Sequence, residues 1–376
     1  MSKFLISCGG TGGHLSPGIS LAQGLVGRGH TATLLVSQKR VDSRLLEKYP
    51  DLTFERMPGT GFSWSPAKMA KCVSSQLAAL RYCLKVMATM RPDVIVGFGG
   101  FTCAPAAAAG RIRGIPVALH ESNRVPGLAI RTLGPFAERV YLPIGIRVAG
   151  VRAAAARHAG LPVRREIVRT PAAAAREAIG LDPRQRALVI LGGSQGASAL
   201  NNWAREQFES LASENIQVYC VTGLGKGEKE TITRRSKTGE TVKCVFVPFS
   251  DSIGEVLSAA DLVITRAGAG TLAELIRCEV PAILIPYPHA ASDHQRANAS
   301  FFERQGGGLV VEEGSLGGLH SEVMDLIFNE WLLRQFRGNL KRMDRSNALE
   351  LMIADLESIA GAGSEGPPGQ PARMPA

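Results

Sequence analysis

Long apolar runs are missing from this 376-residue chain: none approaches the roughly 18 residues that a membrane-spanning helix needs, so no bilayer crossing is expected. The opening Met1-Ser2-Lys3 and Phe4-Leu5-Ile6 have the look of a signal peptide, but the run stops at Gly9 and reads instead as a first strand. Paired cysteines are missing too. The seven present, at positions 8, 72, 83, 103, 220, 244 and 278, form no Cys-x-x-Cys pair and no metal-ligand spacing, which favours a reduced, cytosolic setting with no metal. No Asp-x-Asp occurs, so there is no evident carboxylate pair for a metal-bound nucleotide diphosphate. Acidic residues are scarce in one half only: residues 1–160 hold 20 Lys and Arg against 7 Asp and Glu, while the remainder holds 23 against 26. That imbalance points to an anionic partner, either nucleic acid, an acidic membrane surface or a phosphorylated substrate. Aromatic residues make up only 6% and no reader motif occurs, which counts against nucleic acid.

What is present is an ordinary globular composition, 45% hydrophobic and 20% charged with mean hydropathy +0.06, in a chain long enough for two domains with separate cores. Short apolar runs at 3–8, 31–36, 53–57, 93–97, 116–120 and 139–142 alternate with helix-length segments, the first helix covering about 17–26. The plan then repeats, with strands at 187–191, 217–222, 243–247, 261–265 and 282–286 and a helix over 197–211. Alternation of this kind predicts α/β architecture, two doubly wound Rossmann-like domains facing a deep cleft. The Ala/Arg-rich stretch 149–159 reads as an exposed helix or flexible linker, which places the first domain at 1–160 and the second at 161–360, the last helix packing back on the first. Residues 361–376 hold four Gly and four Pro and should be a disordered tail.

Glycine-rich loops stand at the carboxyl ends of these strands, where ligands bind in open parallel sheets. Gly9-Gly10-Thr11-Gly12-Gly13-His14 leaves a strand and enters a helix, a setting in which backbone N–H groups and the helix dipole favour a phosphate. It is not the dinucleotide fingerprint, because the third glycine is missing and Ser37-Gln38-Lys39 stands where an acid should end the second strand. Imidazole titrates near neutrality, so His14 is a candidate general base, a solvated or structural loop histidine being the alternative. A second cluster, Gly97-Phe98-Gly99-Gly100-Phe101, offers another anion pocket, and the two together suit a diphosphate. Close backbone packing alone would also use these glycines. His120-Glu121-Ser122-Asn123 gathers polar groups at a further strand end, either for a ligand or as a plain surface turn.

In the second half, Gly268-Ala269-Gly270-Thr271-Leu272-Ala273-Glu274 opens a helix. Thr271 and Glu274 share a helical face, so a hydroxyl can meet phosphate while a carboxylate accepts both hydroxyls of a ribose, unless Glu274 merely caps the helix. Ser194 in the Gly192–Gly196 turn, Arg164 near the domain join and Gln295 would complete a nucleotide-sugar pocket, with Arg164 balancing diphosphate charge. Over 66–90, Leu77, Leu80, Cys83, Leu84 and Met87 beside Lys68, Lys71, Arg81 and Lys85 make a helix that either lies on a membrane surface or packs on the core. The residues alone leave three activities open: glycosyl transfer, nicotinamide-dependent oxidoreduction and epimerisation of a UDP-sugar.

Taken in order, GGTGGHLSPG (9–18), GFGGF (97–101), HESN (120–123), GLPVR (160–164), GGSQGA (192–197), RAGAGTLAE (266–274) and PYPHAASDHQRANA (286–299) resemble the MurG family of peptidoglycan N-acetylglucosaminyltransferases. The resemblance covers residues 3–350 and implies a GT-B fold. It implies inverting transfer of N-acetylglucosamine from UDP-N-acetylglucosamine to the C4 hydroxyl of undecaprenyl-diphospho-muramoyl-pentapeptide, lipid I becoming lipid II. The setting it implies is peptidoglycan synthesis, and with it cell shape and division, at the cytoplasmic face of an anionic inner membrane. A cell-wall synthesis complex is a further implied partner, and no built-in cofactor is. Donor contacts carried over from the family fall on Thr11, Gly12, Gly13, Asn123, Arg164, Ser194, Ser250, Ala269, Gly270, Thr271, Leu272, Ala273, Glu274 and Gln295, with Phe249 against uracil. The acceptor diphosphate falls at Gly10, Gly99, Gly100 and Phe101, and His14 at the family's base or acceptor-ligand position. Phe101 replaces a common tyrosine, and Cys103-Ala104-Pro105 a more usual Ser-Gly-Pro.

Overall fold

Runs such as Leu188-Val189-Ile190-Leu191, apolar on both faces, are satisfied only in a sheet covered on each side, and every one of these side chains is buried in the computed structural model. Its described residues are 1–9, 12–38, 46–58, 66–193, 196–344 and 348–362. The first sheet is built, in chain order, from β1 (Lys3–Ser7), α1 (Gly12–Gly27), β2 (Thr31–Val36), β3 (Thr53–Arg56), α2 (Pro66–Met90), β4 (Val94–Gly97), α3 (Cys103–Arg113), β5 (Val117–His120), α4 (Leu128–Leu133), β6 (Arg139–Leu142) and β7 (Ala156–His158). All its strands are parallel, in the order β3-β2-β1-β4-β5-β6-β7.

The second unit follows with α5 (Ala172–Ala178), β8 (Arg186–Leu191), α6 (Ser198–Ser213), β9 (Ile216–Val221), β10 (Glu230–Arg235), β11 (Thr241–Val247), α7 (Ile253–Ala259), β12 (Leu262–Thr265) and α8 (Ala269–Cys278). It closes with β13 (Ala282–Leu284), α9 (His294–Arg304), β14 (Gly308–Val310), α10 (Leu319–Ile327) and α11 (Glu330–Met343). Its order is β10-β11-β9-β8-β12-β13-β14, parallel except at β10. Strand order reverses between β1 and β4 in one sheet and between β8 and β12 in the other, and such switch points open a crevice beyond the strands' carboxyl ends.

The final helix, α12 (Ala348–Ala362), belongs to the first unit's core. Met352, Ile353, Leu356 and Ile359 cluster with Phe4, Ile6 and Leu25. Asp355 accepts from Arg139 Nε at 3.1 Å and from the Tyr141 hydroxyl at 2.8 Å, which fixes the helix against β6.

Two expectations need correction. The stretch 149–159 is neither an exposed helix nor a linker: it forms turns and the edge strand β7, with Ala155 and Ala159 buried. Alanine favours helix only weakly, and pairing with β6 overrides it. The first helix starts at Gly12, well before 17, and carries Pro17 inside it rather than at its start. The polar edge strand β10 carries no apolar alternation and escapes notice in the sequence, its charges guarding an open edge. The glycine- and proline-rich tail lies outside the described residues from 363 onward.

Candidate active site

The loop after β1 and the loop after β4 are stitched by hydroxyls: Ser7 Oγ donates to Thr102 Oγ1 at 3.1 Å, and Thr102 Oγ1 donates to the Gly9 carbonyl at 3.0 Å. This contact leaves no room for a side chain at Gly100. Its φ is +73°, and a Cβ there would sit 2.7 Å from the Gly9 oxygen and 3.3 Å from His14 Nδ1. Gly99, at φ +95°, faces the other ring nitrogen of His14. The structure therefore brings His14, partly exposed in the first turn of α1, onto the Gly99-Gly100 backbone, with Phe101 partly exposed beside it. Gly13 is exposed, Gly12 opens α1, and Gly10 and Thr11 lie outside the described residues.

The next strand end is organised from beneath by Glu121, which is buried. One of its oxygens accepts from the Asn123 backbone N–H at 2.8 Å and the Asn123 amide at 3.2 Å, and the other from Gly127 N–H at 2.7 Å. Asn123 is not in a plain surface turn. Its side-chain Oδ1 accepts from Asn298 Nδ2 of α9 at 3.1 Å, and Asn298 also donates to the Ala267 carbonyl and accepts from the Arg124 backbone N–H, so one buried amide links the two units.

Behind this loop His120 is buried against Phe98, ring centroids 5.1 Å apart, with Nε2 3.3 Å from the Gly160 carbonyl. Burial pushes its pKa down to about 4, against which the Gly160 contact acts weakly. The folded chain thus binds fewer protons than the unfolded one between an ordinary histidine value and about 4. The stabilisation is complete above about pH 6.5 and is lost as pH falls from there to about 4, on the order of 3 kcal/mol in all. Urea unfolding midpoints of the wild type should fall across that window more steeply than those of His120→Gln. Parallel curves would assign the acid sensitivity to other groups.

The opposing wall is α8. Its helix packs on α1, and Glu274 Oε1 accepts from Arg164 Nη2 at 3.0 Å. Arg164 Nη1 donates to the Tyr49 hydroxyl at 3.1 Å, and Tyr49 in turn donates to Glu166. Burial opposes the charge on Arg164, but Glu274 and Tyr49 outweigh it and hold the guanidinium more firmly protonated than usual. Burial pushes Tyr49 up to about 12, so its hydroxyl stays a donor. Ser20 Oγ donates to the Val163 carbonyl at 2.8 Å, anchoring the segment that carries Arg164 to α1.

Ala269, Gly270, Thr271 and Ala273 are partly exposed along the first turns of α8, whereas Leu272 is buried in the core. Leu272 can offer a ligand only its backbone. Ser250, partly exposed after β11, hydrogen-bonds Tyr219, and Phe249 beside it is also partly exposed. Gln295 Oε1 accepts from Tyr287 N–H at 2.9 Å, leaving its NH₂ group available to the cleft rim. Ser194 lies outside the described residues; after it, Gly196 (φ +68°) packs so closely that a Cβ would meet the Thr222 carbonyl at 2.1 Å. Among the described residues no group of three or more His, Cys, Asp and Glu is placed to hold a metal ion.

Three contributors escape sequence reasoning, Tyr49, Glu166 and Asn298, and Glu121 is read there only as one polar group among four. Glu121 and Asn298 sit inside quoted motifs, whereas Tyr49 has no local signal, since its role arises from a contact 115 residues away.

Residues 4–142 match the N-terminal domain model of glycosyltransferase family 28 and residues 187–345 its C-terminal domain model. The chain belongs to glycosyltransferase family 28, among the MurG transferases. A family 28 relative from Opitutus terrae, named as a UDP-N-acetylglucosamine--N-acetylmuramyl-(pentapeptide) pyrophosphoryl-undecaprenol N-acetylglucosamine transferase, is 57% identical over 98% of both chains. One of the same name from Desulforudis audaxviator is 32% identical over 96% of this chain and all of its own length. The crystal structure of Acinetobacter baumannii MurG superposes with TM-score 0.67 at 23% identity, covering 95% of this chain and 100% of that one. The calicheamicin glycosyltransferase CalG4 superposes at 0.66 with 14% identity over 96% and 98%. These likenesses establish the fold: the two facing α/β units are the GT-B architecture of family 28.

Proposed function

We propose that this chain transfers N-acetylglucosamine from UDP-N-acetylglucosamine to the C4 hydroxyl of undecaprenyl-diphospho-N-acetylmuramoyl-pentapeptide, converting lipid I to lipid II in peptidoglycan synthesis. The observation that carries this is the 57% identity, over nearly the whole of both chains, to a transferase of that name. A hexosyltransferase is what two facing sheets with glycine-lined carboxyl ends can serve, because donor and acceptor each occupy one lip of the crevice.

In this reading the later unit holds the UDP-sugar and the first holds acceptor and membrane. Glu274 takes the ribose hydroxyls, Phe249 and Ser250 the uracil side, and the α8 N-terminus with Thr271 the diphosphate. The acceptor C4 oxygen attacks the anomeric carbon from the face opposite the leaving group, the bond to the UDP oxygen breaks, and the acceptor proton passes to His14. Charge gathers on UDP as it departs. The helix dipole and Arg164, already held charged beside Glu274, oppose it, and no metal is assigned to that task. The acceptor diphosphate lies against Gly99 and Gly100, in the unit with the basic excess.

The first unit also supports docking on an anionic membrane at the cytoplasmic face. On α2 the core takes Cys72, Ala79, Cys83 and Met87, leaving Val73, Leu77, Arg81 and Lys85 as an exposed stripe. Ile112, Leu128, Phe136 and Ile144 are exposed among Arg111, Arg113, Arg131 and Arg147. No described helix is long and apolar enough to cross a membrane. A partner complex for cell-wall synthesis belongs to the same proposal.

The deciding assay uses sugar-labelled UDP-N-acetylglucosamine with a lipid I analogue. Label should move to the lipid product, and no other sugar nucleotide should form without acceptor. Acceptor-independent conversion to a new UDP-sugar would make the chain an epimerase.

A further inference from the structure

At the ends of β8 and β12 remote from the glycine loops, the second unit has a cavity of about 570 Å³ into which Arg169, Arg176, Arg186 and Arg337 project. Arg186 opens β8 and Asp261 immediately precedes β12, so this hollow faces away from the crevice where transfer takes place. Three carboxylates accompany the four guanidinium groups: Asp261, Glu279 and Glu330.

How these acids are used shows which cations have charge to spare. Asp261 accepts from Arg176 at 2.7 Å and from the Ala187 backbone at 2.9 Å, and meets Arg186 at 3.4 Å. Arg176 is consumed by structure, because its other nitrogens donate to the carbonyls of Ala259 and Pro183. Glu330 pairs with Arg186, and Glu279 with Arg169. Arg337 is the fourth cation against three acids and has only the loosest pair. It comes no closer to Asp261 than 4.0 Å, beyond hydrogen-bond range, with its side chain three-quarters buried. Burial makes Arg337 give up its proton more easily than a free guanidinium; Asp261 and Glu330 act against this, and the neighbouring charges of Arg169 and Arg186 reinforce it.

A network serving stability alone matches its charges and closes over them. This one has one cation more than it has carboxylates, and keeps the weakly paired, largely desolvated Arg337 at the wall of an open hollow whose volume falls in the range of small-ligand sites. Guanidinium forks suit phosphoryl oxygens in particular. We propose that this cavity is a second anion site, taking a compact phosphate ester or pyrophosphate group, with Arg337 and Arg169 as its main ligands. The site is separate from both substrate positions of the transfer reaction.

The test is calorimetric titration of the full chain with inorganic pyrophosphate in excess UDP, which occupies the crevice of the later unit. Besides binding at the Gly99-Gly100 acceptor loop, which neither variant touches, one further UDP-resistant site is expected, and Arg337→Gln and Arg169→Gln should each weaken that site alone tenfold or more. Arg169 is half exposed, so its variant folds and decides the matter even if Arg337→Gln is destabilised. A parallel arm pellets each protein with phosphatidylglycerol vesicles. Loss of vesicle binding in both variants, without pyrophosphate heats from that further site in the wild type, would identify the anion as a lipid headgroup. Pyrophosphate binding there identifies it as a soluble phosphate. Wild-type behaviour of both variants in both arms overturns the proposal.

Discussion

Replacing His14 by alanine is expected to lower kcat for transfer by two to four orders of magnitude, the range over which a positioned general base acts, while KM for UDP-N-acetylglucosamine stays within about threefold. The split follows from where the ring lies. His14 sits on the Gly99-Gly100 backbone, the lip proposed for the acceptor, and Glu274 with its Arg164 partner is on the lip proposed for the donor. A purely structural imidazole, valued for packing on two glycines, would instead lower the melting temperature and raise the acceptor KM with kcat nearly intact. His14→Gln keeps much of that packing and cannot take a proton at neutral pH. Near-normal turnover in either variant removes His14 from the role of base.

The second large effect belongs to Glu274→Gln, which should raise KM for the donor by roughly 10²-fold. Hydrogen bonds to a charged group are worth about 1.5–3 kcal/mol each, and every 1.4 kcal/mol is about tenfold in affinity. The fold should tolerate the change, because Arg164 retains the Tyr49 hydroxyl at 3.1 Å and lies 3.7 Å from Glu166. The double variant Glu274→Gln/Arg164→Ala should cost less than the two single effects summed, since the two side chains touch. Donor KM unchanged in Glu274→Gln would confine the carboxylate to holding Arg164.

Much of this architecture is legible in the residues, because parallel strands buried on both faces leave uninterrupted apolar runs and the loops after them must be glycine-rich where backbones touch. β8 and β12 show this most clearly. What escapes notice does so for two reasons. Edge strands make few demands on sequence, so β10 with its charges and β7 with its alanines look like something else. Contacts between distant segments leave no local pattern either, which is why Arg164 is legible as a cation near the join but not as the group that Tyr49 and Glu274 grip from opposite units. The carboxylate of Glu274 is legible as a helix-face acid, but the buried arginine at its back is not.

Because α12 returns to the first unit's core, the backbone passes from one lobe to the other twice, once after β7 and again between α11 and α12. Two tethers define an axis where one would define only a pivot. Any sliding or twisting of one lobe on the other would load two connections rather than one, so the covalent chain itself limits how far the facing walls can shift in register.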